Sequence, residues 1–396
     1  MRKPELLLPV KSWTHLNASL PYADAVYFGS KSFNMRVRGG NFRSSEIKKV
    51  VGECHNRNIR AYLAVNSVIY PKDIKKIEKL MDVAKTADVD AIICWDMAVI
   101  DAAKDRGLPI HISTQANVTN SKAALIYKKL GARRVILSRE CSLSDIRKIK
   151  KETGMEIEVF VHGAMCVSIS GRCFLSAYLY GKNANCGECF QPCRQKWVLI
   201  NEDKKQVLCK GKYLMNVKDL CMIEHIPKII KSGVDSLKVE GRLRDARYVE
   251  IVGRCYREAI DSFFDGSFNR KTLTWIKELK KVYNRGFSTG FYFSVPGRNE
   301  FEYNSSNSQA KFARKYVGMV KHFYAKKSVA IIKIVSPVSV GDEITIEGKT
   351  TYLRQNIDSI YREGAPVKHA SKGSLIGIKT KGKARKNDLV YVVRKK

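Results

Sequence analysis

The sequence predicts an α/β protein: a (β/α)8 TIM-like barrel followed by a small C-terminal β-barrel domain. Three observations lead there. Short, near-continuously apolar runs alternate with amphipathic segments from the N-terminus to about residue 265, the pattern of a parallel sheet covered on both faces. Eight such runs occur in that stretch, the strand number of a closed barrel. From residue 315 onward the pattern changes to short alternating strands separated by turns, the mark of an all-β module.

In order, strands are expected at Glu5–Val10, Ala25–Ser30, Ala61–Asn66, Ala91–Asp96, Ile110–Gln115, Arg134–Arg139, Glu156–Gly163 and Ser236–Gly241. Helical patterns lie between most of them, at Ser45–Arg57, Pro71–Thr86, Ser121–Leu130 and Leu143–Lys151. The first opens on Ser44-Ser45-Glu46, which reads as a helix cap. A doubly wound open sheet is the alternative, but no phosphate-type glycine fingerprint accompanies the strands.

After the seventh strand the next helix is expected only near Asn216, so residues 164–215 form an insertion in a βα loop. Such loops emerge on the C-terminal face, where active sites are built. A loop this long is uncommon without a function. Within it, Trp197–Leu214 reads as a hairpin turning at Asn201–Lys205. The domain reading is therefore 1–265 for the barrel with its insertion, 266–314 for a helical connector and linker, and 315–396 for the β domain. The connector holds a helix at Thr272–Tyr283 and a polar linker at Asn299–Gln309. Strands of the β domain are expected at Tyr316–Phe323, Val329–Ile334, Glu343–Ile346 and Leu389–Val393.

Across 396 residues the chain has 72 Lys and Arg against 38 Asp and Glu, a net charge of +34. A polyanionic partner, nucleic acid above all, follows from that balance; a plainly solvated basic surface is the alternative. The excess is densest in residues 266–396, with 27 basic and 9 acidic side chains. There Lys379, Lys381, Lys383, Arg385 and Lys386 form the best candidate for RNA phosphate contacts. Phe287, Phe291, Tyr292 and Phe293 either stack an unpaired base or fill the core. The opening apolar run is too short for a signal peptide, and no stretch approaches the length of a membrane span. A cytoplasmic location without membrane contact is expected, where thiols stay reduced and clustered cysteines bind metal or catalyse.

Five of the eleven cysteines fall within 28 residues: Cys166, Cys173, Cys186, Cys189 and Cys193. A zinc ribbon wants two C-x2-C knuckles, and only Cys186/Cys189 has that form. An iron–sulfur core accepts ligands from separate loops. Iron–sulfur, zinc and no metal all stay open on spacing alone. Hydrolase motifs of the H-E-x-x-H and G-x-S-x-G kinds are absent. His162 and Cys166 are close in sequence, but nothing else supports a thiol–imidazole pair.

At the strand ends stand Asn66, Asp96, Gln115, Asn117, Arg139, His162, Glu240 and Arg242, positions that line an active site in this architecture. Gln115 and Asn117 either touch substrate or satisfy backbone groups of a buried loop. Arg139 and Arg242 either grip a small carboxylate or serve as internal ion-pair partners. His162 is a proton carrier or a satisfied core histidine, and Glu240 is a pocket residue.

The run Glu158-Val159-Phe160-Val161-His162-Gly163-Ala164-Met165-Cys166, with Cys173, Leu175 and Ser176 after it, closely resembles the signature of the collagenase-like peptidase family U32. So do Ser113–Asn117, Leu137–Glu140, Gln191–Arg194, Lys238–Arg242 and Asn284–Tyr292. The resemblance spans nearly the whole chain. Despite the name, it implies a hydroxylase of RNA or of quinone precursors. One branch hydroxylates the wobble uridine of tRNA with prephenate as a required metabolite, and another hydroxylates a cytidine of large-subunit rRNA. Ubiquinone-pathway members act without oxygen.

The resemblance also implies a 4Fe-4S cluster on Cys166, Cys173, Cys189 and Cys193, because the family pattern Gly-x-Cys-x3-Cys-Arg falls on Gly187–Arg194. Cys186 has no place in that pattern, which leaves Cys186 or Cys221 as a substitute for the fourth ligand. Substrate contacts are expected from Gln115, Asn117, Arg139, His162, Glu240 and Arg242. Chain length with one C-terminal module points to the tRNA branch and 5-hydroxyuridine as product. A peptidase, an rRNA cytidine hydroxylase and a non-catalytic RNA-binding metalloprotein are the alternatives.

Overall fold

The computed structural model describes residues 2–198, 200, 212–305 and 307–396, and in it the eight expected strands close into a ring. The first seven are β1 (Glu5–Pro9), β2 (Ala25–Gly29), β3 (Arg60–Ala64), β4 (Ala91–Cys94), β5 (Ile110–Ile112), β6 (Ala132–Ile136) and β7 (Glu156–Gly163). Each pairs in parallel with the next. A short β8 (Asp219–Cys221) runs antiparallel to the end of β7. Closure comes from β9 (Ser236–Val239), which pairs in parallel with both β7 and β1. Burial on both faces explains the absence of polar alternation: β1, β2 and β4 are buried at every position.

Around the ring lie α1 (Trp13–Ser19), α2 (Ile47–His55), α3 (Ile74–Thr86), α4 (Met97–Asp105), α5 (Ser121–Lys129) and α6 (Leu143–Thr153). In α3 the buried residues are Ile77, Leu80, Met81 and Ala84, the spacing of a single apolar stripe. Side chains of Ser12, Asp96, Asn120 and Ser142 accept N–H groups at the starts of α1, α4, α5 and α6. The insertion carries α7 (Leu175–Tyr180), and beyond it come α8 (Ile226–Ile230), α9 (Ala246–Phe264) and α10 (Phe268–Leu279). A two-residue β10 (Phe287–Ser288) pairs in parallel with β8.

Local expectations differ from the structure in three places. The segment Ser44–Glu46 is a 3-10 turn rather than the cap of a helix; Glu46 accepts the Arg43 N–H at 2.9 Å and the Trp13 indole N–H at 3.1 Å. Strands β5 and β6 stop short, so Gln115 and Arg139 stand in rim loops and not on strands. No helix starts near Asn216. That side chain donates to the carbonyls of Glu302 (3.2 Å) and Ser305 (2.7 Å), and α8 begins later, with Pro227 in its first turn. Of the expected hairpin, Trp197 and Lys212 form an antiparallel bridge, while its turn at Asn201–Lys205 lies outside the described residues.

The C-terminal strands are β11 (Phe312–Tyr324), β12 (Val329–Ile334), β13 (Val338–Ser339), β14 (Glu343–Glu347), β15 (Tyr352–Asn356), β16 (Ile360–Arg362), β17 (Ala365–Val367), β18 (His369–Ala370), β19 (Leu375–Lys379) and β20 (Leu389–Lys395). Eight of them form one antiparallel sheet in the order β15-β14-β20-β11-β12-β19-β16-β17, with β13 and β18 paired apart. Its core, with Val317, Ile332, Ile344, Ile376 and Val392, is separate from the barrel core. The module is fastened to the starts of α1 and α9. Thr14 donates to the Gly348 carbonyl (2.5 Å), Asn17 to the Thr350 carbonyl (2.6 Å), and Arg354 meets Glu250 at 2.7 Å. Both helices follow barrel strands directly, so these contacts lie beside the C-terminal rim. Among the described residues no helix is long and apolar enough to cross a membrane.

Candidate active site

At the C-terminal ends of the strands is a cavity of about 390 Å3. Barrel residues Tyr27, Ala64, Ile93, Ile136 and Phe160, side chains of the rim loops, residues Met165–Cys193 of the insertion and the segments Ser288–Phe291 and Pro296–Phe301 all contribute to its lining. Cys166, Cys173, Cys189 and Cys193 all line this cavity, whereas Cys186 and Cys221 do not. The Cys186 sulfur lies 3.9 Å from the Tyr70 hydroxyl, and Cys221 is buried against Tyr256.

Two short loops carry the four sulfurs, and each is pinned to the barrel rim. The first loop is held through Ser170, whose backbone takes the left-handed conformation (φ 47°). Its N–H donates to the Glu140 carboxylate at 2.9 Å. Its hydroxyl proton has two acceptors in reach, Glu140 (3.1 Å) and the Asn117 side-chain oxygen (3.0 Å). Asn117 and Glu140 are thus clamps for the cysteine loop, with Ser138 bonded to both.

The second loop is held through Asn185, which exchanges hydrogen bonds with the Cys173 backbone at 3.2 and 3.3 Å. Next to it Gly187 adopts φ 86° against the Asn34 carbonyl, where any Cβ would collide. Arg194 donates to Asn216 (2.5 Å), to the Val217 carbonyl (2.7 Å) and to the Met165 carbonyl, tying this loop to the strand that follows.

The sulfurs face amides and cations. Leu175 N–H points at the Cys173 sulfur (3.4 Å) and Gln191 N–H at the Cys189 sulfur (3.3 Å). Burial raises the pKa of the Cys189 thiol and pushes that of Cys193 up to about 11. Arg36 lies within Coulombic reach of Cys166 and Cys189, and Arg194 within reach of Cys193 and Cys166.

On the barrel side the cavity is cationic. Glu240 sits between Arg36 (3.4 Å) and Arg139 (3.8 Å). Burial would raise its pKa, but Arg36, Arg139, Arg242 and Lys238 together hold it below the usual carboxylate value. Four cations thus surround one ionised carboxylate, and all five line the cavity. Burial pulls Arg242 down to about 10, still a cation at neutral pH; it donates to Asn34 (3.0 Å) and Asn41. Its Nε, like the hydroxyl of Ser168, is buried without a partner among the described residues. Arg139 stacks over Phe160 at 3.9 Å. Beneath, Lys238 pairs with Glu158 (2.8 Å), and Arg134 joins Glu158 (3.0 Å) to Glu5 (2.6 Å), filling the barrel interior with a closed ion network.

The expected site residues divide accordingly. Gln115, Arg139, Glu240, Arg242 and Asn66 line the cavity, although the Gln115 oxygen is already taken by Ser113 (2.6 Å) and Asn66 (3.0 Å). Asn117 is a clamp behind the wall. Asp96 caps α4 and accepts the Ile69 N–H at 3.3 Å, so it is a structural residue. His162 does not reach the cavity: its ring packs among Tyr248, Tyr256 and Phe287, and burial lowers its pKa to about 4. No histidine lines the cavity among the described residues, so no imidazole is offered to Cys166.

Of the aromatic run, Tyr292 is buried and donates to the Phe160 carbonyl (2.6 Å), and Phe287 packs on His162. Phe291 reaches the cavity and Phe293 is exposed. Lys379, Lys381, Lys383, Arg385 and Lys386 are all exposed. Arg385 bonds Thr351 (2.8 Å), in the turn that meets α1.

Arg36, Glu140 and Ser170 were not singled out from the sequence. Arg36 follows β2 on the rim and was accessible to the strand-end rule. Glu140 and Ser170 join only in three dimensions.

A TIM-like barrel with a cysteine-lined, cationic mouth and an appended antiparallel module defines the class of this protein. A model of peptidase family U32 matches residues 11–302. The chain is 45% identical over 401 residues to an uncharacterized protease of Methanocaldococcus jannaschii, covering 98% of each. It is 35% identical to a collagenase of Porphyromonas gingivalis, covering 98% of this chain and 97% of that one. To the tRNA hydroxylation protein P1 of Bacillus subtilis it is 31% identical, covering 96% and 92%. The chain belongs to peptidase family U32.

Proposed function

We propose that this protein is an iron–sulfur-dependent RNA-modifying enzyme that hydroxylates a tRNA uridine at the wobble position to 5-hydroxyuridine. The observation that carries the reading is the joining of four cysteines from two pinned loops to a cationic cavity at the barrel mouth. Similarity along nearly the whole chain to tRNA hydroxylation proteins of Bacillus subtilis and Escherichia coli supports the substrate.

The donor set fits a 4Fe-4S cluster. Four soft sulfurs are available, two of them already receive backbone N–H groups, and guanidinium groups offset the charge of bound thiolates. Among the described residues no three Cys, His, Asp or Glu converge closely enough to hold a single ion. Cys166, Cys173, Cys189 and Cys193 would hold the cluster, which supplies one-electron chemistry when bound. Arg36, Arg139 and Arg242 bind a small carboxylate co-substrate, prephenate in this reading, through their forked N–H groups. Ionised Glu240 accepts from Arg36 and pairs with Arg139, orienting both, while Asn34 and Asn41 orient Arg242. The apolar wall of Ile93, Ile136 and Phe160 keeps water from the reacting groups.

Peptide hydrolysis is supported by the names of the family and of relatives, a protease and a collagenase among them, but among the described residues no thiol–imidazole pair stands at the cavity. Two measurements test the choice. Anaerobically purified protein is expected to be brown with about four iron per chain. Nucleoside mass spectrometry of tRNA from a deletion strain is expected to show loss of hydroxylated uridine. Colourless zinc protein, or an unchanged nucleoside profile beside reproducible peptide cleavage, sinks the proposal.

A further inference from the structure

The cysteine insertion exposes aromatic side chains that its own packing does not use. Phe174, the residue before α7, is 75% exposed and Tyr178, within it, 85%; the Tyr178 N–H donates to the Phe174 carbonyl at 2.9 Å, so the two lie one helical turn apart on one face. Tyr180 and Phe190, both partly exposed, pack on each other at 5.8 Å. Val167 and Ile169, from the same insertion, are exposed apolar residues that line the cavity. Isolated exposed apolar residues are ordinary, but four exposed aromatic side chains in one short insertion beside a cavity mouth suit an interaction site.

Its charge selects the partner. The loop after β2, residues 31–45, exposes Lys31, Arg38 and Arg43 and holds no acid. In residues 164–198 Arg172 and Lys196 are exposed, while Lys182 pairs with Glu188, the one acid there. Basic and aromatic groups interleave directly. The Arg38 guanidinium lies 4.0 Å from the Phe190 ring centre, and that of Arg172 lies 4.8 Å from Trp95. Cations beside π-faces suit stacked bases on a phosphate backbone.

We infer that Phe174, Tyr178 and the Arg38–Phe190 pair form a stacking platform for unpaired nucleotides flanking the base that enters the cavity. This rests on the RNA-modifying reading and assigns the surface by which the substrate is held. A base cannot react from inside a duplex, so it is either flipped out of the stack or presented from an unpaired stretch, where its neighbours lack stacking partners too. Aromatic faces beside the entrance replace the stacking those neighbours lose.

The test compares a fluorescently labelled RNA hairpin bearing an unpaired pyrimidine loop with a fully paired duplex of the same stem. Full-length protein is used as wild type, as the double variant Phe174→Leu/Tyr178→Leu, and as Phe174→Trp/Tyr178→Trp. Leucine keeps the apolar area and removes the π-face; tryptophan enlarges it. The leucine double is expected to weaken hairpin binding about tenfold or more with duplex binding unchanged, and the tryptophan double to bind at least as tightly as wild type. Equal hairpin affinity in the leucine double overturns the platform. So does weaker binding by the tryptophan double, or a shift in sedimentation of the leucine double at wild-type RNA affinity, which makes the face a contact between copies. Failure of the wild type to bind the hairpin removes the RNA reading itself, an outcome separate from those three.

Discussion

Replacing Glu140 by alanine is expected to release the loop that carries Cys166 and Cys173. The carboxylate receives the Ser170 N–H at 2.9 Å and the Ser170 hydroxyl at 3.1 Å. Hydrogen bonds to charged acceptors contribute about 1.5–3 kcal/mol each. Both bonds hold a residue in the left-handed backbone region, where a non-glycine residue costs about 1–2 kcal/mol. Asn117 still accepts the Ser170 hydroxyl in the variant, so the loss is nearer one strong bond than two, about 3 kcal/mol. At about 1.4 kcal/mol per factor of ten, local opening becomes on the order of a hundredfold more frequent. Amide hydrogen exchange of a peptide spanning residues 166–173 measures this directly, without any reaction being run. Glu140→Gln keeps one acceptor for the N–H, and either serine hydroxyl can accept from its amide. That variant is expected to accelerate exchange about tenfold or less. Exchange in Glu140→Ala within about threefold of wild type would falsify the clamp.

Cys189→Ser and Cys193→Ser are each expected to abolish iron retention on anaerobic purification, and Cys186→Ser to retain it. Iron lost from the last protein shows that the four-ligand set is wrong. The His162 pKa, lowered to about 4 by burial against 6.5 when unfolded, makes the unfolded chain bind the extra proton between those values. Stability is complete above pH 6.5 and declines by about 1.4 kcal/mol per pH unit as pH falls toward 4. Denaturant titrations of wild type and His162→Gln should therefore converge by about 2 kcal/mol between pH 6.5 and 5; a constant gap refutes the buried neutral imidazole. The triple variant Lys379→Ala/Lys381→Ala/Lys383→Ala is expected to flatten the log–log salt dependence of tRNA binding by about 0.7–0.9 for each phosphate no longer neutralised. An unaltered slope removes this loop from the RNA interface.

From the sequence alone came the barrel, since eight buried strands need long apolar runs and those are legible without partners. The location of the insertion followed, because strand order puts every βα loop on one face. Crowding of cysteines into one loop is likewise a one-dimensional signal. Which polar side chain faces the cavity was decided by tertiary structure. Asn117 and Gln115 share one motif, yet Asn117 turns through a left-handed backbone position to hold Ser170 while Gln115 lines the cavity. His162 stands at a strand end, but Tyr248, Tyr256 and Phe287, from α9 and β10, enclose it. Arg36 meets Glu240 across 204 positions, and Glu140 meets Ser170 across 30. No periodicity links such partners; closure of the ring brings them together, and a side chain's surroundings then set whether it binds, clamps or packs.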